Sequence, residues 1–176
     1  MRETNPAQSI RQTVDLSRAM KMGMRRLASG VSVLSARTDS GDCLAITMSS
    51  VTSVSDDPPS LLVCLNTQLW GEAYLAQQGA RFAINLLSSK HQAVSNLCAG
   101  FEGDKPRFEV GNWVRGANGP PILSDAQAVF QCETDKVMTY GTHHILVGRI
   151  IEVDLGRDEV DPLVYFDGDY RLLNSD

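Results

Sequence analysis

The sequence predicts a mainly β domain: an antiparallel barrel or sandwich with a few helices packed outside. Short apolar or β-branched segments outnumber the helical patterns along the chain. Turn residues separate these segments closely enough for neighbouring strands to pair in antiparallel fashion. The length of 176 residues suits one domain. We assign residues 1–13 to a flexible N-terminal segment and residues 14–176 to the domain.

The first periodic pattern along the chain is helical. Leu16, Met20, Met24 and Leu27 recur every three or four residues and would form one apolar stripe. The residue before this pattern, Asp15, is a suitable N-cap, and a glycine at position 30 stands where such a helix would end. The stripe could cover the barrel or a partner subunit.

Strand signals follow from residue 31 onward. A turn at residues 38–42 separates the β-branched segment around residues 31–33 from a return strand at residues 43–48, which predicts a hairpin. Residues 60–66 form a nearly all-apolar run that fits a strand buried on both faces. Further strands are expected at residues 82–87, 129–137, 144–153 and 163–166. Short helices are expected at residues 70–78 and from Ser88 or Ser89 to about Ala99, and residues 101–121 form the longest irregular stretch.

Composition excludes several function classes. The net charge is -5 and the basic residues are scattered, whereas nucleic-acid binding needs a clustered basic face. No segment approaches the roughly 18 apolar residues of a membrane span, and the N-terminus lacks the apolar core of a secretion signal. The four cysteines are widely spaced and form no CxxC pair, so we expect reduced thiols, no metal site and a cytoplasmic protein.

A hydroxyl-rich stretch is the first candidate binding site. Residues 47–55 contain two Thr and four Ser between two apolar segments. Hydroxyls and unpaired main-chain N–H groups at a strand end can cradle an anion without a basic residue. From the residues alone, a Ser/Thr-rich turn without a ligand is the competing interpretation.

Three further features are open to two interpretations each. Asn85 lies inside an apolar strand, where its amide would either pair with neighbouring main chain or contact a ligand. The pair Ala99-Gly100 would either let a ligand approach the backbone or end a helix. Lys105 and Arg107 in the long loop would either neutralise a phosphate or be solvated charges.

Five motifs in order resemble the flavin reductase-like family of split-barrel proteins, which bind FMN or FAD. Residues 45–66 are similar to the family's Thr, Ser-Val-Ser and Pro-Pro signature with its following buried strand. Residues 82–87, 98–100, 141–148 and 162–170 match the later motifs, and the resemblance spans roughly residues 18–173. It implies a split β-barrel of the antiparallel, Greek-key, FMN-binding type, and a homodimer.

The resemblance also implies the site residues. His143, beside the nicotinamide, would be the catalytic residue, able to hydrogen-bond the cofactor or hold a proton. The residues implied to bind the cofactors are Thr47, Met48, Ser49, Ser50, Val51, Ser53, Val54, Asn66, Thr67, Gln68, Asn85, Ala99, Gly100, Lys105, Arg107, His143, Tyr165 and Tyr170.

Departures from the family pattern bear on the electron acceptor. The family's Gly-Asp-His is Gly-Thr-His at residues 141–143, a variant that resembles the reductase components of two-component hydroxylases such as the 4-hydroxyphenylacetate 3-monooxygenase system. The doublet His143-His144 also resembles the reductase of cob(II)yrinic acid a,c-diamide. Because adjacent strand residues point to opposite faces, the two imidazoles are not expected to share one pocket or metal.

Three functions follow as hypotheses. The first is an oxidoreductase that transfers hydride from NADH or NADPH to FMN or FAD and supplies reduced flavin to a partner monooxygenase. The second is the corrinoid reductase, and the third is a flavin-binding protein without catalysis. Because GxGxxG is absent from the sequence, the nicotinamide would bind without a Rossmann unit and stack on the flavin, which carries the chemistry.

Overall fold

Antiparallel strands dominate the computed structural model, which describes residues 15–103, 105–116, 119–156 and 159–173. In chain order the elements are α1 (Leu16–Met24), β1 (Ser29–Gly30), β2 (Ser32–Arg37), β3 (Cys43–Met48), β4 (Val51–Asp56), β5 (Pro59–Asn66), α2 (Glu72–Leu75), β6 (Arg81–Leu86), a 3-10 turn (Ser89–His91), α3 (Gln92–Cys98), β7 (Trp113–Val114), β8 (Ile122–Leu123), β9 (Ala128–Tyr140), β10 (His143–Leu155), β11 (Val164–Phe166) and β12 (Asp169–Arg171). The segment 1–13, predicted to be flexible, lies outside the described residues.

Seven strands form one curled sheet in the order β3-β2-β6-β9-β10-β5-β4, and each neighbouring pair is antiparallel. The edge strands β3 and β4 are consecutive along the chain and are joined only by Ser49 and Ser50, so the two edges of the sheet come together there. From β5 to β6 the chain passes the positions of β10 and β9, a Greek-key type of crossover. The predicted mainly β, split-barrel fold is confirmed.

The long hairpin of β9 and β10 supplies much of the curvature. Its pairing register shifts between Val147 and Gly148 and again between Ile150 and Glu152, and such bulges bend and twist a strand. A Cβ atom on Gly148 would lie 2.5 Å from the ring of Phe82. Glycine at this position therefore lets β10 approach the aromatic ring at the centre of the barrel.

Two apolar clusters occupy opposite faces of the sheet, as period-two alternation requires. The barrel interior contains Leu34, Leu61, Val63, Leu65, Phe82, Ile84 and Leu146. The outer cluster lies beneath α3 and the segments around β8 and β11, and it contains Val33, Ala45, Ala83, Val94, Cys98, Leu123 and Leu163. The seven-stranded sheet therefore has a core on each side, and the second core brings α3 and the small sheet β1-β11-β12 against β3.

Helix α1 begins as predicted and ends earlier. The Asp15 carboxylate accepts hydrogen bonds from the main-chain N–H groups of Ser17 and Arg18 at 3.0 and 3.3 Å. The helix stops at Met24 rather than near residue 29, because residues 29–30 instead pair with β11 as strand β1. The prediction of a helix continuing to Gly30 was wrong.

The apolar stripe of α1 faces outward in the single chain. Leu16 is 80% exposed, and Met20, Met24 and Leu27 are each more than half exposed. The sequence left open whether this stripe packs on the barrel or on a partner subunit, and in the single chain it does not pack on the barrel. Among the described residues, no helix is both long and apolar enough to cross a membrane.

Three other elements differ from the sequence prediction. Residues 51–56 form the edge strand β4, which the sequence did not predict, because they pair with β5. The helix expected over residues 70–78 is limited to Glu72–Leu75. In β5 the apolar residues Leu61, Val63 and Leu65 are buried, whereas Leu62 and Cys64 are half-buried on the other face.

Candidate functional site

Ser49 stands where three adjoining clefts meet, at the junction of β3 and β4. The first, of about 160 Å³, is here named the Ser49 groove, and its lining residues are Val31, Thr47, Met48, Ser49, Ser95, Ala99, Phe101, Tyr165 and Tyr170. The second, of about 630 Å³, runs along β4 and past Leu27 and Phe130. The third, of about 500 Å³, lies under α1. The two larger clefts fall within the roughly 300–1,000 Å³ range of small-molecule sites.

Six of the predicted cofactor-binding residues come together in the Ser49 groove. They are Thr47, Met48, Ser49, Ala99, Tyr165 and Tyr170. They come from β3, the end of α3 and the β11–β12 hairpin, which are distant in sequence and meet only in the fold. Two more predicted residues, Val51 and Ser53, line the adjoining cleft along β4.

One wall of the Ser49 groove is a chain of hydrogen-bonded and packed side chains. The Thr47 hydroxyl donates to the main-chain oxygen of Ser95 at 2.7 Å. The Ser95 and Tyr170 hydroxyls lie 2.8 Å apart, and the rings of Tyr170 and Tyr165 meet edge to face at 5.5 Å. These contacts fix the two aromatic rings relative to β3, so the wall is rigid and mixes apolar surface with hydroxyl groups.

Helix α3 positions the opposite end of that wall. The 3-10 turn that leads into it is capped by Ser88, whose side chain and main-chain N–H contact Nδ1 of His91 at 3.0 and 3.1 Å. The helix ends at Cys98, followed by Ala99 in the groove and by Gly100 with a φ of +81°. Gly100 is therefore explained as a helix-ending glycine, one of the two interpretations that the sequence left open.

Asn85 is a correction to the predicted site. Its side chain is fully buried in β6, and its amide nitrogen donates to the Val33 carbonyl and to the Ser35 hydroxyl, both at 3.0 Å. Its amide oxygen accepts from the main-chain N–H of Leu123 at 2.8 Å. The amide is used to join β6, β2 and β8, so the expected flavin contact was wrong and the main-chain pairing interpretation holds.

Several predicted residues lie outside the Ser49 groove. The Ser50 hydroxyl contacts the main-chain N–H and carbonyl of Cys64, which joins the β3–β4 link to β5. Val54 is half exposed next to a register shift in β4. Gly100 follows the groove residue Ala99 but does not itself line the groove.

The turn after β5 holds another group of predicted residues. The Asn66 side chain accepts from the N–H of Gln68 at 2.9 Å, and the Thr67 hydroxyl donates to the Thr142 carbonyl at 3.2 Å. His143 pairs in register with Asn66 at the start of β10. It is exposed, and its Nδ1 lies 2.9 Å from the Thr142 hydroxyl. This turn lies where β5 ends and β10 begins, and its residues do not line the Ser49 groove. The cofactor contacts predicted for Asn66, Thr67, Gln68 and His143 therefore stay predictions.

The two adjacent histidines have different surroundings. The Nε2 atom of His144 is 2.8 Å from a Glu72 carboxylate oxygen, and its Nδ1 is 2.8 Å from the Thr139 hydroxyl. The two ring nitrogens of His144 thus contact Glu72 in α2 and Thr139 in β9, whereas the ring of His143 contacts Thr142. The doublet acts as two separate side chains.

The two predicted loop cations lie in a different cleft. Lys105 is exposed and its ammonium is 2.8 Å from a Glu102 carboxylate oxygen, and this hydrogen bond raises the pKa of Lys105. Arg107 donates from Nη1 to the carbonyls of Ala45 and Cys98 at 2.5 and 3.1 Å. Both line a cleft at the opposite end of β3 from Ser49, so their proposed phosphate contacts are not part of the Ser49 groove.

Some lining residues were missed by sequence reasoning. Lys21 and Arg25 line the cleft under α1 together with Ser49 and Tyr165, and they lie four residues apart on one helical face. A Cβ atom on Gly168 would overlap the Arg25 guanidinium, so this arginine packs directly on the β11–β12 turn. The spacing of the two cations was visible in the sequence, but their meeting with Ser49 depends on the fold.

Ser95 was missed for a different reason. It is a fully buried serine in α3, and its only sequence signal is a polar residue on an apolar helical face. Nearby, burial raises the pKa of the Cys98 thiol to about 11, although the charge of Arg107 opposes the shift. Cys98 therefore stays a neutral thiol and adds no anion next to the Ser49 groove.

Comparison with known proteins decides the family. Residues 24–174 match the family model described as flavin reductase like domain. The chain belongs to the flavin reductase-like family. This confirms the family that the sequence motifs indicated.

Relatives within the flavin reductase-like family match nearly the whole chain. The FMN reductase (NADH) RutF of Cronobacter sakazakii is 34% identical over 158 residues, which are 89% of this chain and 92% of that protein. The FMN reductase (NADH) RutF of Variovorax paradoxus is 35% identical over 150 residues, which are 85% of this chain and 82% of that protein.

A solved structure in the family has the same fold. BorF, the flavin reductase component of a bacterial two-component tryptophan halogenase, is 34% identical and has a TM-score of 0.78, covering 91% of this chain and 99% of that chain. The curled sheet, the crossover from β5 to β6 and the outer helices are thus features of a known flavin reductase fold.

Proposed function

We propose that this protein is an NAD(P)H-dependent flavin oxidoreductase that transfers hydride from a reduced nicotinamide to FMN or FAD. The observation that carries the proposal is the Ser49 groove, in which hydroxyl-bearing and aromatic residues from three separate elements line one cleft. Relatives named FMN reductase (NADH), 34% and 35% identical over most of the chain, support FMN as the flavin and NADH as the donor.

The residues of the Ser49 groove fit a flavin. Val31, Met48, Phe101 and Tyr165 offer apolar and aromatic surface to a planar ring system. Ser49, which lines all three clefts, offers a hydroxyl at the point where they open into one another. When bound, the flavin accepts hydride, so the protein needs to position two rings and exclude water rather than supply a strong base.

Lys21 and Arg25 add positive charge beside this groove. A flavin phosphate that extends under α1 would meet these cations, and charge-assisted hydrogen bonds to phosphate are about twice as strong as neutral ones. This supports an orientation with the ring against Tyr165 and the tail towards α1. The predicted contacts of Ser50, Val54, Asn66, Thr67, Gln68 and Gly100 remain part of the proposal for a bound complex.

His143 is our proposed contact for the nicotinamide. Its imidazole is exposed beside Thr142, and a hydrogen bond to Nδ1 leaves Nε2 to face a ligand. We expect His143→Ala to lower kcat/KM for NADH by about tenfold or more, the loss of one good hydrogen bond, while the dissociation constant for FMN changes little.

Steady-state kinetics and flavin fluorescence titration of the same preparation check this prediction. Lys136→Ala, an exposed residue of the same β9–β10 hairpin, is the matched control and should change neither quantity. Equal losses in nicotinamide use and flavin binding would count against the assignment of His143.

A comparison with BorF, the flavin reductase component of a two-component halogenase, supports a proposal for the role of this protein in its cell. We propose that reduced flavin produced here diffuses to a partner monooxygenase. The exposed apolar stripe of α1 supports a homodimer, because apolar surface of this kind is normally covered. Four free cysteines are in keeping with a reducing, cytoplasmic environment.

A turnover assay with an acceptor screen tests the proposed function. Purified protein is mixed with NADH or NADPH and with FMN, FAD or cob(II)alamin, and loss of reduced nicotinamide is followed by absorbance, while light scattering gives the oligomeric state. Fast turnover with free flavin and a dimeric mass are expected. Rapid corrinoid reduction with little free-flavin turnover would favour the corrinoid reductase, and flavin binding without turnover would favour a non-catalytic protein.

A further inference from the structure

A tight turn at the tip of the β9–β10 hairpin presents His143. Gly141 and Thr142 join Tyr140, the last residue of β9, to His143, the first residue of β10. Gly141 has a φ of +56°, a conformation that glycine adopts without steric cost, so the chain can reverse within these two residues. His143 is therefore the first side chain after the turn, and it is exposed.

The main chain of Thr142 is held by the turn that follows β5. The main-chain N–H and the hydroxyl of Thr67 both donate to the Thr142 carbonyl, at 3.0 and 3.2 Å. The Thr142 hydroxyl lies 2.9 Å from Nδ1 of His143. Within the part of the chain that the structure describes, this hydroxyl is the only hydrogen-bond partner of the His143 ring.

The other two of the three histidines show what a partner at one ring nitrogen decides. In His91, Nδ1 accepts from the main-chain N–H of Ser88, so the proton of the neutral ring is on Nε2. In His144, Nε2 contacts the Glu72 carboxylate, which only accepts, so Nε2 carries a proton there as well. A neutral imidazole has one donor and one acceptor nitrogen, and the partner at one nitrogen therefore sets the role of the other.

The same reasoning applies to Thr142 and His143. A threonine hydroxyl can donate to Nδ1, and Nε2 then carries the proton of the neutral ring and faces solvent as a donor. When the ring takes up a second proton, the same hydroxyl can accept from Nδ1–H, and Nε2 remains a donor. A carboxylate at position 142 could only accept, so it would hold the proton of the neutral ring on Nδ1 and leave Nε2 without one.

We propose that Thr142 is a positioning residue that keeps Nε2 of His143 protonated, so that His143 donates a hydrogen bond to the carboxamide oxygen of the nicotinamide. The inference rests on the proposed function, in which His143 contacts the nicotinamide. It adds which ring nitrogen donates, which atom of the ligand accepts, and which residue fixes the direction of that hydrogen bond.

Nitrogen NMR of protein labelled at its histidines tests the protonation of the ring without turnover. Three histidines give a simple spectrum, and His143→Ala identifies the signals of His143. At a pH at which the ring is neutral, the wild-type ring should carry its proton on Nε2, and Thr142→Asp should move the proton to Nδ1. A wild-type ring protonated on Nδ1 overturns the proposal.

Steady-state kinetics test whether Thr142 acts through His143. Thr142→Val keeps the shape of the side chain and removes the hydroxyl, so kcat/KM for NADH should fall about fivefold, the loss of one hydrogen bond. Thr142→Ser should restore it, and the dissociation constant for FMN should stay the same in both variants. In protein that already carries His143→Ala, Thr142→Val should cause no further loss.

Thr139→Val is the matched control for this substitution. It removes the hydroxyl that contacts Nδ1 of His144, on the opposite face of the sheet from His143, and should leave kcat/KM for NADH unchanged. An equal loss from Thr142→Val with and without the His143 ring, or an equal loss from Thr139→Val, overturns the proposal.

The pH profile separates this role from a purely structural one. His143 lies opposite Tyr140 in β9 and Asn66 in β5, while Glu72 contacts His144 on the other face. Histidine is the side chain that ordinarily changes charge between about pH 5 and 8. In the wild type, Nε2 is a donor in both charge states of the ring, so kcat/KM for NADH should vary little across this range.

In Thr142→Asp, Nε2 donates only while the ring holds two protons, so kcat/KM for NADH should fall about fivefold as the pH rises through the same range. A flat profile in this variant overturns the proposal. A wild-type protein whose His143 carries its proton on Nε2 but which oxidises no reduced nicotinamide overturns the proposed function, and leaves the control of the ring by Thr142 standing.

Discussion

Polar side chains occur in two contrasting regions on the same outer side of the sheet. In the buried layer, Asn85 makes three hydrogen bonds to β2 and β8 and is fully closed to solvent. In the Ser49 groove, Ser49 is exposed and lines three clefts at once. The difference shows that a polar residue in an apolar strand serves folding when its partners are all within the chain and is available to a ligand when it faces a cleft.

The largest expected effect comes from removing the buried amide. Asn85→Leu should lower the free energy of unfolding by about 2–5 kcal/mol, because the N–H of Leu123 and the carbonyl of Val33 lose their partner while buried. Urea denaturation followed by circular dichroism measures the loss. The folded fraction should still bind FMN with wild-type affinity.

The matched change in the other region is Ser49→Ala, which should alter stability by less than about 0.5 kcal/mol. If Asn85→Leu were as stable as wild type but no longer bound flavin, the distinction between the two regions would be wrong.

A second, smaller effect is expected from filling the groove. Ser49→Phe places a bulky ring where the three clefts meet and should weaken FMN binding about tenfold or more, which corresponds to about 1.4 kcal/mol. Fluorescence titration with FMN measures it. Ser53→Phe, farther along β4, is the control and should weaken binding less; equal effects would move the flavin from the Ser49 groove to the cleft along β4.

The smallest expected effect is on stability and comes from Asp125, which contacts His91 just before α3. Partial burial alone would raise the pKa of Asp125, but its contacts with Asn112 and His91 outweigh burial and lower that pKa. A carboxylate with a lowered pKa in the folded state stabilises the protein above its unfolded pKa of about 3.9, and the contribution is lost as the pH falls below that value.

Asp125→Asn should therefore be less stable than wild type at neutral pH, by about 1 kcal/mol. The difference should shrink as the pH falls below ~4 and through the lowered pKa of the folded carboxylate, where the wild-type side chain becomes protonated. Thermal unfolding at several pH values checks this. A stability difference that stays constant across this pH range would mean that the charge of the Asp125 carboxylate does not strengthen its contacts with Asn112 and His91.

Much of the strand framework could be predicted from the sequence. The β2–β3 hairpin, β6 and the long strands β9 and β10 have clear apolar signals bounded by turn residues. Strand β4 was missed because its exposed edge carries Thr and Ser in place of an alternating apolar face. The early end of α1 was missed because pairing of residues 29–30 with β11 is a long-range event.

The residues of the candidate site were predictable only in part, because the role of each also depends on partners that are distant in sequence. Family motifs pointed to Thr47, Ser49, Ala99, Tyr165 and Tyr170, and the fold brings these together. They also pointed to Asn85, whose role as a buried connector depends on partners from two other strands. Spacing along the chain shows where a polar group lies, but only the packing around it shows whether it is free to bind.

A crystal structure of the protein saturated with FMN is the most direct test of the central claim. We predict the isoalloxazine ring in the Ser49 groove, in contact with Thr47, Ser49 and Tyr165, with the Asn85 amide unmoved in the core. A ring bound elsewhere on the molecule, or a groove closed by its own side chains in the presence of excess flavin, would contradict it.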